Sequence, residues 1–503
     1  MTLILTIMPR TDLRWRGAIG GALLVGSLAC ERPSGVGGSS AASGGRVADS
    51  GETARTSAED GYLVAIDTPV RTYLDYVIAP AGERGPPQSS ALPQLAQWEG
   101  VTRENALRIQ RFSPGQALSS SEIVALLPIV APASRTLDVS DAPYRAPTSP
   151  GDATPAIQAA LDHAKEIARP GSPVDVLIPP GIYDHSAVLD VGTDVRLRGA
   201  GGILRATDPA RSAVHLQGDR SGALFLTLTS GASERRSNDE SSGIWVGPKA
   251  PSRAIVHDTL VIGNEIVQPS SAHVLGYSEE GGLWAFNYAH DGFADAYHHT
   301  GASSHCQVVA NRANGPGGRG DDLYSFVGYL KNGDPVHHCS CIANWGRNGH
   351  ARGLAAVGAG FIDFEYNDIS HTQWAGIYVA QERNYDTFGS FSIRVVGNRI
   401  SFANLEGSHS GLLAYADQPF GTRPSNSFGD VPNAIRDLTV SQNVFSNVAA
   451  ARGGGWGIEV RASCEGGSVS GNTVRGARSP GIVVAGSRYT VASNVSPGEG
   501  GSP

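Results

Sequence analysis

Acidic residues recur at short intervals in the second half of the chain. Asp295 is followed by the pair Asp321-Asp322, and then by His350 and Arg352. If this stretch is read as successive copies of one strand, the carboxyl groups stack on neighbouring strands about 5 Å apart. Carboxylates that close repel each other, so the pKa of one should rise while another stays ionised. Cleavage of a glycosidic bond requires one protonated and one ionised carboxyl group. These five residues are therefore the predicted catalytic residues.

Aromatic and further polar side chains accompany the acids. Because successive side chains of a strand point to opposite faces, Asp295, Tyr297 and His299 are predicted to face outward together. Asp322 and Tyr324 are predicted to do so on the next turn. The predicted substrate-binding residues are Tyr297, His299, Tyr324, Trp374, Tyr378 and Glu382. One aliphatic column is predicted to face the core, formed by Ala296, Leu323, Leu354, Ile377, Leu412, Ile458 and Ile482.

An asparagine returns in a similar setting along the same half of the chain. It occupies positions Asn264, Asn287, Asn311, Asn344, Asn367, Asn398, Asn443, Asn472 and Asn494. The shortest gaps are 22–24 residues, which is one turn of a β-solenoid, and the longer gaps carry inserted loops. Stacked asparagines can hydrogen-bond in a ladder along such a solenoid. Insertions on one face of a solenoid usually wall a binding groove.

The segment before this array carries signals of a different kind. It contains ATPAIQAALDHA at residues 153–164 and VLIPPGIY at residues 176–183. Thr154 is a predicted helix N-cap and Pro155 the first helical residue, and Val174–Ile178 is a predicted buried strand. The pair of phrases resembles the opening of the pectate-lyase-like right-handed parallel β-helix superfamily. The resemblance implies an all-β, right-handed parallel β-helix over residues 136–500, with an N-terminal capping helix.

The order of the acidic residues resembles that of the polygalacturonase-type glycoside hydrolases. In that family one turn supplies an Asp, the next an Asp-Asp pair, the next Gly-His-Gly, and a later one Arg-x-Lys. Here Asp295, the pair Asp321-Asp322 and Gly349-His350-Ala351 stand in the first three places, and no Arg-x-Lys is present. The resemblance implies hydrolysis without a cofactor, with Asp322 as the acid and Asp295 or Asp321 as the base. It does not specify the sugar.

Two other functions would use the same stretch of chain. In a polysaccharide lyase of this fold, Asp295, Asp322 and Glu382 would hold Ca²⁺, with Arg352 as the base and Tyr324 as the acid. An alginate epimerase would use similar groups, but its Asp-Pro-His-Asp phrase is absent. A non-catalytic β-helix that binds glycans or forms a rigid stalk should have evenly scattered acids, whereas here they cluster.

The first 135 residues predict export and a separate N-terminal segment. Arginines, an apolar run and Cys30 after a small residue predict a signal peptide of lipoprotein type over residues 1–30, with a lipid on Cys30. Ordinary secretion is the alternative. Residues 31–59 are predicted to be a disordered linker. Residues 60–135 form either a small module that resembles LysM or a capping segment. The protein is predicted to be periplasmic, bound to the outer membrane, or extracellular.

The net charge and the cysteines indicate which binding partners and which cross-link to expect. A net charge of −8, with 39 Lys and Arg, does not favour a nucleic-acid partner. Cys306 and Cys339 occupy equal places in neighbouring repeats. They are predicted to form either a disulfide, which export would permit, or a pair of packed thiols. Zinc bound with the adjacent His305 and His338 is a third option, although the spacing matches no familiar zinc site. The predicted partner is a polysaccharide, bound by a monomer.

Overall fold

The computed structural model describes residues 133–249, 252, 254–315, 319–417, 433–448 and 455–496. The predicted signal peptide with Cys30, the linker, and residues 60–132 lie outside the described residues. The described chain is a right-handed parallel β-helix, as predicted, in which successive strands pass from sheet to sheet. No helix in these ranges is long and apolar enough to cross a membrane.

Three parallel sheets, numbered I to III, form the walls of the β-helix. Sheet I contains β1 (Arg135–Asp138), β2 (Val174–Ile178), β5 (Val195–Gly199), β8 (Gly222–Leu224), β12 (Leu260–Ile262), β16 (Leu283–Ala285), β19 (Gln307–Val309), β22 (Val336–Ile342), β25 (Ala359–Glu365), β28 (Phe391–Val396), β31 (Ile435–Ser441), β34 (Cys464–Ser470) and β37 (Ser487–Ala492). Sheet II contains β4 (Leu189–Val191), β7 (Val214–Leu216), β10 (Ile244–Val246), β14 (Val274–Tyr277), β18 (Tyr297–Thr300), β21 (Tyr324–Val327), β24 (Leu354–Val357), β27 (Ile377–Gln381), β30 (Leu412–Ala416), β33 (Ile458–Val460) and β36 (Ile482–Val484). Sheet III contains β3 (Gly181–His185), β6 (Gly202–Ala206), β9 (Thr227–Thr229), β13 (Glu265–Val267), β17 (Tyr288–His290), β20 (Arg312–Asn314), β23 (Trp345–Arg347), β26 (Asp368–Ser370), β29 (Arg399–Ser401), β32 (Val444–Ser446) and β35 (Thr473–Arg475). A separate pair joins β11 (Val256–His257) to β15 (Glu279–Glu280), and short 3₁₀ helices lie at Pro209–Arg211, Asp239–Ser241, Leu330–Asn332 and Arg383–Tyr385.

Inward side chains of the three sheets fill one continuous core. Phe364 of sheet I, Ile377 of sheet II and Ile400 of sheet III are each fully buried in it. Burial of a side chain of this size stabilises the fold by about 1.5–3 kcal/mol. Because each turn contacts only its neighbours, the loss of one such side chain should weaken the adjacent turns first.

The predicted asparagine ladder is present. From Asn264 to Asn494, each side-chain Nδ2 donates a hydrogen bond to the Oδ1 of the next asparagine, at 2.9–3.1 Å. Each Oδ1 after the first also accepts the backbone N–H of the preceding asparagine, as Asn367 Oδ1 does from Asn344. The side chain therefore satisfies polar groups at a corner of every turn, which explains why it recurs.

Helix α1 (Thr154–Ile167) packs against β2, β4 and β5 with Ile157, Leu161 and Ala164 buried. The helix was predicted to begin after an N-cap at Thr154, and that detail is wrong. Ala153 is the N-cap residue, and Asp152 Oδ1 accepts the backbone N–H of Thr154 at 3.0 Å. The carboxylate therefore satisfies one of the free amides of the first turn.

The predicted register of sheet II is wrong by one residue in two turns. Tyr297 pairs with Tyr324, and Tyr324 pairs with Leu354, so the tyrosines belong to the inward column. The hydroxyls of both tyrosines find acceptors inside the β-helix: Tyr297 donates to Arg312 O at 2.9 Å, and Tyr324 to Trp345 O at 2.8 Å. Because each phenol is satisfied by a main-chain carbonyl, a tyrosine can occupy a place that the aliphatic pattern assigned to a neighbour.

Candidate active site

The three predicted acids meet at the edge where the chain enters sheet II. Asp295 and Asp322 lie two residues before β18 and β21, one turn apart, and Asp321 lies beside Asp322. One carboxylate oxygen from each of the three lies within 4.8 Å of the others. Asp322 is buried, and Asp295 and Asp321 are partly accessible. The structure thus assembles the three carboxyl groups that the sequence placed in one site.

Two arginines compensate part of this negative charge. Arg235 Nη2 lies 2.9 Å from Asp321 Oδ2, and Arg352 Nη1 lies 3.4 Å from Asp322 Oδ2. Arg352 also contacts Glu382 Oε1 through Nη2 at 2.9 Å. Burial opposes the charge on Arg352, but Asp322 and Glu382 outweigh it and raise the pKa of the guanidinium well above its usual value. Arg352 is therefore a fixed cation and is not suited to the role of base predicted for it in a lyase.

The environment of the acids drives their pKa values apart. Burial raises the pKa of Asp322 to about 7, against the effect of Arg352 and with that of Asp321 and Asp295. Burial and the charge of Asp295 also raise the pKa of Asp321, while Arg235 and Arg352 lower it. Near neutral pH, Asp322 can therefore hold a proton inside a group of carboxylates.

The pKa of Asp295 is lowered instead, because of a histidine that was not predicted to belong to the site. Burial alone would raise the pKa of Asp295, but His298, Arg235 and a hydrogen bond from Ser325 lower it. His298 Nδ1 lies 3.5 Å from Asp295 Oδ2 and 2.7 Å from Ser325 Oγ, and Ser325 Oγ donates to Asp295 Oδ1 at 3.0 Å. Burial opposes the charge on His298, but Asp295 outweighs it and raises the pKa of the imidazole. Asp295 is thus held as a carboxylate.

His350 belongs to the same place. It is partly exposed and lines a small pocket together with Asp321 and Asp322, and its Nδ1 is buried without a hydrogen bond within the described chain. The remainder of the pocket wall comes from turns of sheets II and III, including His273, Asn314 and Arg319. His350 can therefore reach a group that enters beside the acid pair.

A second patch extends from Arg352 along the same face. Tyr378 Oη donates to Glu382 Oε1 at 2.8 Å and lies 2.7 Å from the hydroxyl of Tyr415. The Arg352 guanidinium lies over the Tyr378 ring at 4.3 Å, so this buried tyrosine positions Glu382 and offers no free ring face to a sugar. Trp374 is half-buried, lies 5.1 Å from the Arg352 guanidinium and donates through Nε1 to Glu406 at 3.0 Å. The Trp374 ring also stacks on His409 at 5.4 Å, so of the predicted aromatic residues Trp374 can contact a ligand only through its exposed part.

Three predicted substrate-binding residues are wrong. Tyr297, Tyr324 and His299 lie inside the β-helix, each no more than 1% exposed. The tyrosine rings stack on each other at 5.1 Å, and the His299 ring stacks on Trp284 at 3.7 Å. Tyr324 therefore cannot act as the acid of a lyase, because its hydroxyl is bonded to main-chain carbonyls of the core.

The predicted calcium ligands differ from the structure, and of the alternatives predicted for Cys306 and Cys339 the structure has the packed thiols. Within the described residues, the oxygens that approach one another come from Asp295, Asp321 and Asp322, while Glu382 is held by Arg352 and Tyr378. Arg235 and Arg352 form ion pairs with the acid trio, and these two positive charges disfavour a divalent cation there. Cys306 and Cys339 are the other predicted pair. They are neighbouring free thiols, in which Cys339 Sγ accepts the backbone N–H of Cys306 at 3.4 Å.

Of the site residues that were not predicted, two could have been found from the strand pattern and one could not. His298 and Ser325 occupy the outward column of sheet II, one residue after the two tyrosines. A correct register would have placed them beside Asp295. Arg235 lies 86 residues before Asp321, in a loop that no repeat signal relates to the acids.

No protein-family model matches the chain, and no curated protein matches it in sequence. Among solved structures, it is similar to the A-module of the mannuronan C-5 epimerase AlgE6 of Azotobacter vinelandii, at 16% identity, over 72% of this chain and 99% of that chain, with a TM-score of 0.53. It is also similar to the catalytic unit of a GH87 α-1,3-glucanase from Streptomyces thermodiastaticus (18% identity, 72% and 69% covered, TM-score 0.46). A third similar structure is the family 28 exopolygalacturonase of Yersinia enterocolitica (13% identity, 73% and 79% covered, TM-score 0.43). At these identities the similarity establishes the β-helix fold alone.

Proposed function

We propose that this protein cleaves glycosidic bonds of a polysaccharide by hydrolysis at the acid trio Asp295, Asp321 and Asp322. The observation that carries the proposal is the convergence of three carboxyl groups, one oxygen of each within 4.8 Å of the others. Their surroundings separate their pKa values: the pKa of Asp322 is raised to about 7, and that of Asp295 is lowered. A structural protein gains no stability from buried carboxyl groups that repel each other, whereas a glycosidase needs one proton donor and one carboxylate.

The roles follow from these protonation states. Asp322 donates its proton to the glycosidic oxygen as the bond to the sugar carbon breaks. Asp295, kept ionised by His298 and Ser325, takes a proton from the water that adds to that carbon. Arg352 holds Asp322 in place and tempers the rise of its pKa. The exposed part of Trp374, whose ring also contacts Arg352 and His409, can contact a sugar.

A second candidate is proton abstraction from a uronate polymer, as in a lyase or an epimerase. Arg235 and Arg352 are cations beside the acids, and a sugar carboxylate could pair with them. One solved structure that shares the fold, at a TM-score of 0.53, is by name the A-module of a mannuronan C-5 epimerase. Two of the groups predicted for a lyase fit their roles poorly, since Arg352 stays protonated and Tyr324 is buried. Hydrolysis is therefore the proposal that we put first.

The test compares two site variants with a matched control on a panel of neutral and uronate polysaccharides. Asp322→Asn and Asp295→Asn should each lower the rate of reducing-end release by at least about 100-fold, the usual size of an acid–base contribution. Asp363→Asn is the control, because burial raises the pKa of Asp363 to about 6 but it lies on β25 of sheet I. Equal rates in all three variants would refute the assignment of the acids.

We also propose, from the sequence, that the protein is exported and anchored through a lipid on Cys30. Cell fractionation of the wild type and of Cys30→Ala tests this. The wild type should partition with membranes and the variant should not. The same distribution for both would contradict the anchor.

A further inference from the structure

A second cluster of reactive side chains lies inside the β-helix, away from the acid trio. Glu279, His299 and Cys306 come from consecutive passes of the chain, and each is at most 1% exposed. One ligand atom from each lies within 4.8 Å of the others. A carboxylate, an imidazole and a thiol are all ligands of zinc. The cluster is not used by the proposed reaction, because it faces the core and not the groove.

Two side chains of this cluster lack the partners that burial normally demands, whereas the Cys306 thiol donates to Ser304 O at 3.3 Å. Glu279 Oε2 and both ring nitrogens of His299 are buried without a hydrogen bond from the described chain. Glu279 Oε2 and His299 Nε2 lie 3.3 Å apart, yet they are not aligned as donor and acceptor. Unsatisfied buried groups of this kind are rare and costly. Glu279 Oε2 and His299 Nε2 are the two of these atoms that face each other, and they mark a point where an ion can bind.

The distance between the two atoms matches a tetrahedral zinc site. Zinc binds nitrogen and oxygen at about 2.0–2.1 Å, and two such ligands at the tetrahedral angle are about 3.3 Å apart by geometry. The Glu279–His299 separation of 3.3 Å has that value. Thr259 Oγ1 and Trp284 Nε1 both donate to the other oxygen, Oε1, of Glu279. These outer contacts fix the carboxylate so that Oε2 points to the cluster.

We propose that Glu279, His299 and Cys306 bind a single zinc ion in the core of the β-helix. Carboxylate and thiolate together carry two negative charges, which balance the two positive charges of the ion without leaving net charge in the core. Cys306 loses its thiol proton to solvent when its sulfur binds the metal. His299 binds as the neutral imidazole. The ion joins two neighbouring turns, so it should stabilise the fold next to the acid trio.

Burial acts on the free residues in a way that is consistent with this site. Burial lowers the pKa of His299, against the effect of Glu279, so the ring favours the neutral form that binds metal. Burial and the neighbouring Cys339 raise the pKa of Cys306 well above its usual value, so a thiolate there needs a cation beside it. Zinc supplies that cation.

The first measurement uses the full chain, purified without a metal-affinity column, and determines its metal content by mass spectrometry. We expect about one zinc per chain. After removal of zinc, Co²⁺ should give the near-ultraviolet charge-transfer absorption of a thiolate-bound cobalt ion. Cys306→Ser should lose the metal and the absorption. The control Cys464→Ser replaces another buried free thiol, on β34, and should keep both.

Melting curves with and without a chelator give a readout that does not need the variants. The chelator should lower the melting temperature of the wild type and of Cys464→Ser. The proposal is overturned if wild-type protein carries no stoichiometric metal, gives no cobalt–thiolate absorption and melts equally with and without chelator. A disulfide between Cys306 and Cys339, detected by peptide mass, would overturn it as well, because it removes the thiolate ligand. Since Asp322→Asn leaves this cluster intact, the two proposals can fail separately.

Discussion

Asp322→Asn should make the protein more stable at neutral pH while it abolishes activity. The folded environment raises the pKa of Asp322 from 3.8 to about 7. Each pKa unit corresponds to about 1.36 kcal/mol, so ionisation of this buried group costs the folded state up to about 4 kcal/mol. Asparagine has nearly the same shape and no charge. Its Oδ1 can still accept the backbone N–H of Arg352, which Asp322 accepts at 2.9 Å.

The sign of the pH dependence follows from the direction of the shift. Because the pKa of Asp322 is higher in the folded state, its unfavourable contribution is absent below about pH 4 and grows as the pH rises towards 7. The stability difference between Asp322→Asn and the wild type should therefore be small at pH 4. It should approach its full value, on the order of 2–4 kcal/mol, at pH 8.

The assay is thermal or denaturant unfolding of both proteins at pH 4, 6 and 8, followed by circular dichroism. The exposed Asp141→Asn, which removes a surface carboxylate away from the site, is the control. An Asp322→Asn variant that is less stable than the wild type at pH 8 would refute the reasoning. It would mean that the Arg352 ion pair outweighs the cost of burying the charge.

Three further predictions concern the groove and the ladder. Arg352→Met removes the cation beside Asp322, so the basic limb of the pH–rate profile should move above its wild-type position near pH 7; an unchanged limb would contradict it. Trp374→Ala should raise KM with little change in kcat, and an effect on kcat alone would contradict the binding role. Asn367→Ala breaks the ladder and should lower the unfolding free energy by about 2–4 kcal/mol, whereas the exposed Asn384→Ala should cost less than about 1 kcal/mol.

The fold could be predicted because its signals are local and repeated. The ladder from Asn264 to Asn494 appears in the sequence as the same residue in the same setting, once per turn, and every member takes its predicted partner. Helix α1 was marked by the amphipathic run from Ile157 to Leu161. Its capping residue was misjudged, because Thr154 is a good cap by residue type, whereas the backbone makes Ala153 the N-cap and the Asp152 side chain accepts the Thr154 amide.

The site could be predicted in part, and the errors in the prediction on sheet II have one physical origin. The acids were recognised because three carboxyl groups at this spacing need an explanation. Tyr297 and Tyr324 were assigned to the wrong face because a phenol counts as polar in a sequence pattern, although main-chain carbonyls satisfy it in the core. That shift of one residue also hid His298, which a strand turns outward beside Asp295. Arg235 reaches Asp321 from a distant loop, which strand periodicity cannot reveal.

The most direct test of the central claim is the mass of the product formed in heavy-oxygen water. A polysaccharide that the wild-type protein shortens is digested in this solvent, and the masses of the oligosaccharides are measured by mass spectrometry. Hydrolysis predicts one labelled oxygen at each new reducing end, and no such product with Asp322→Asn. Shortened chains that lack the label and carry a double bond would show elimination, and they would contradict the assignment of Asp322 and Asp295 as the acid and base of a hydrolase.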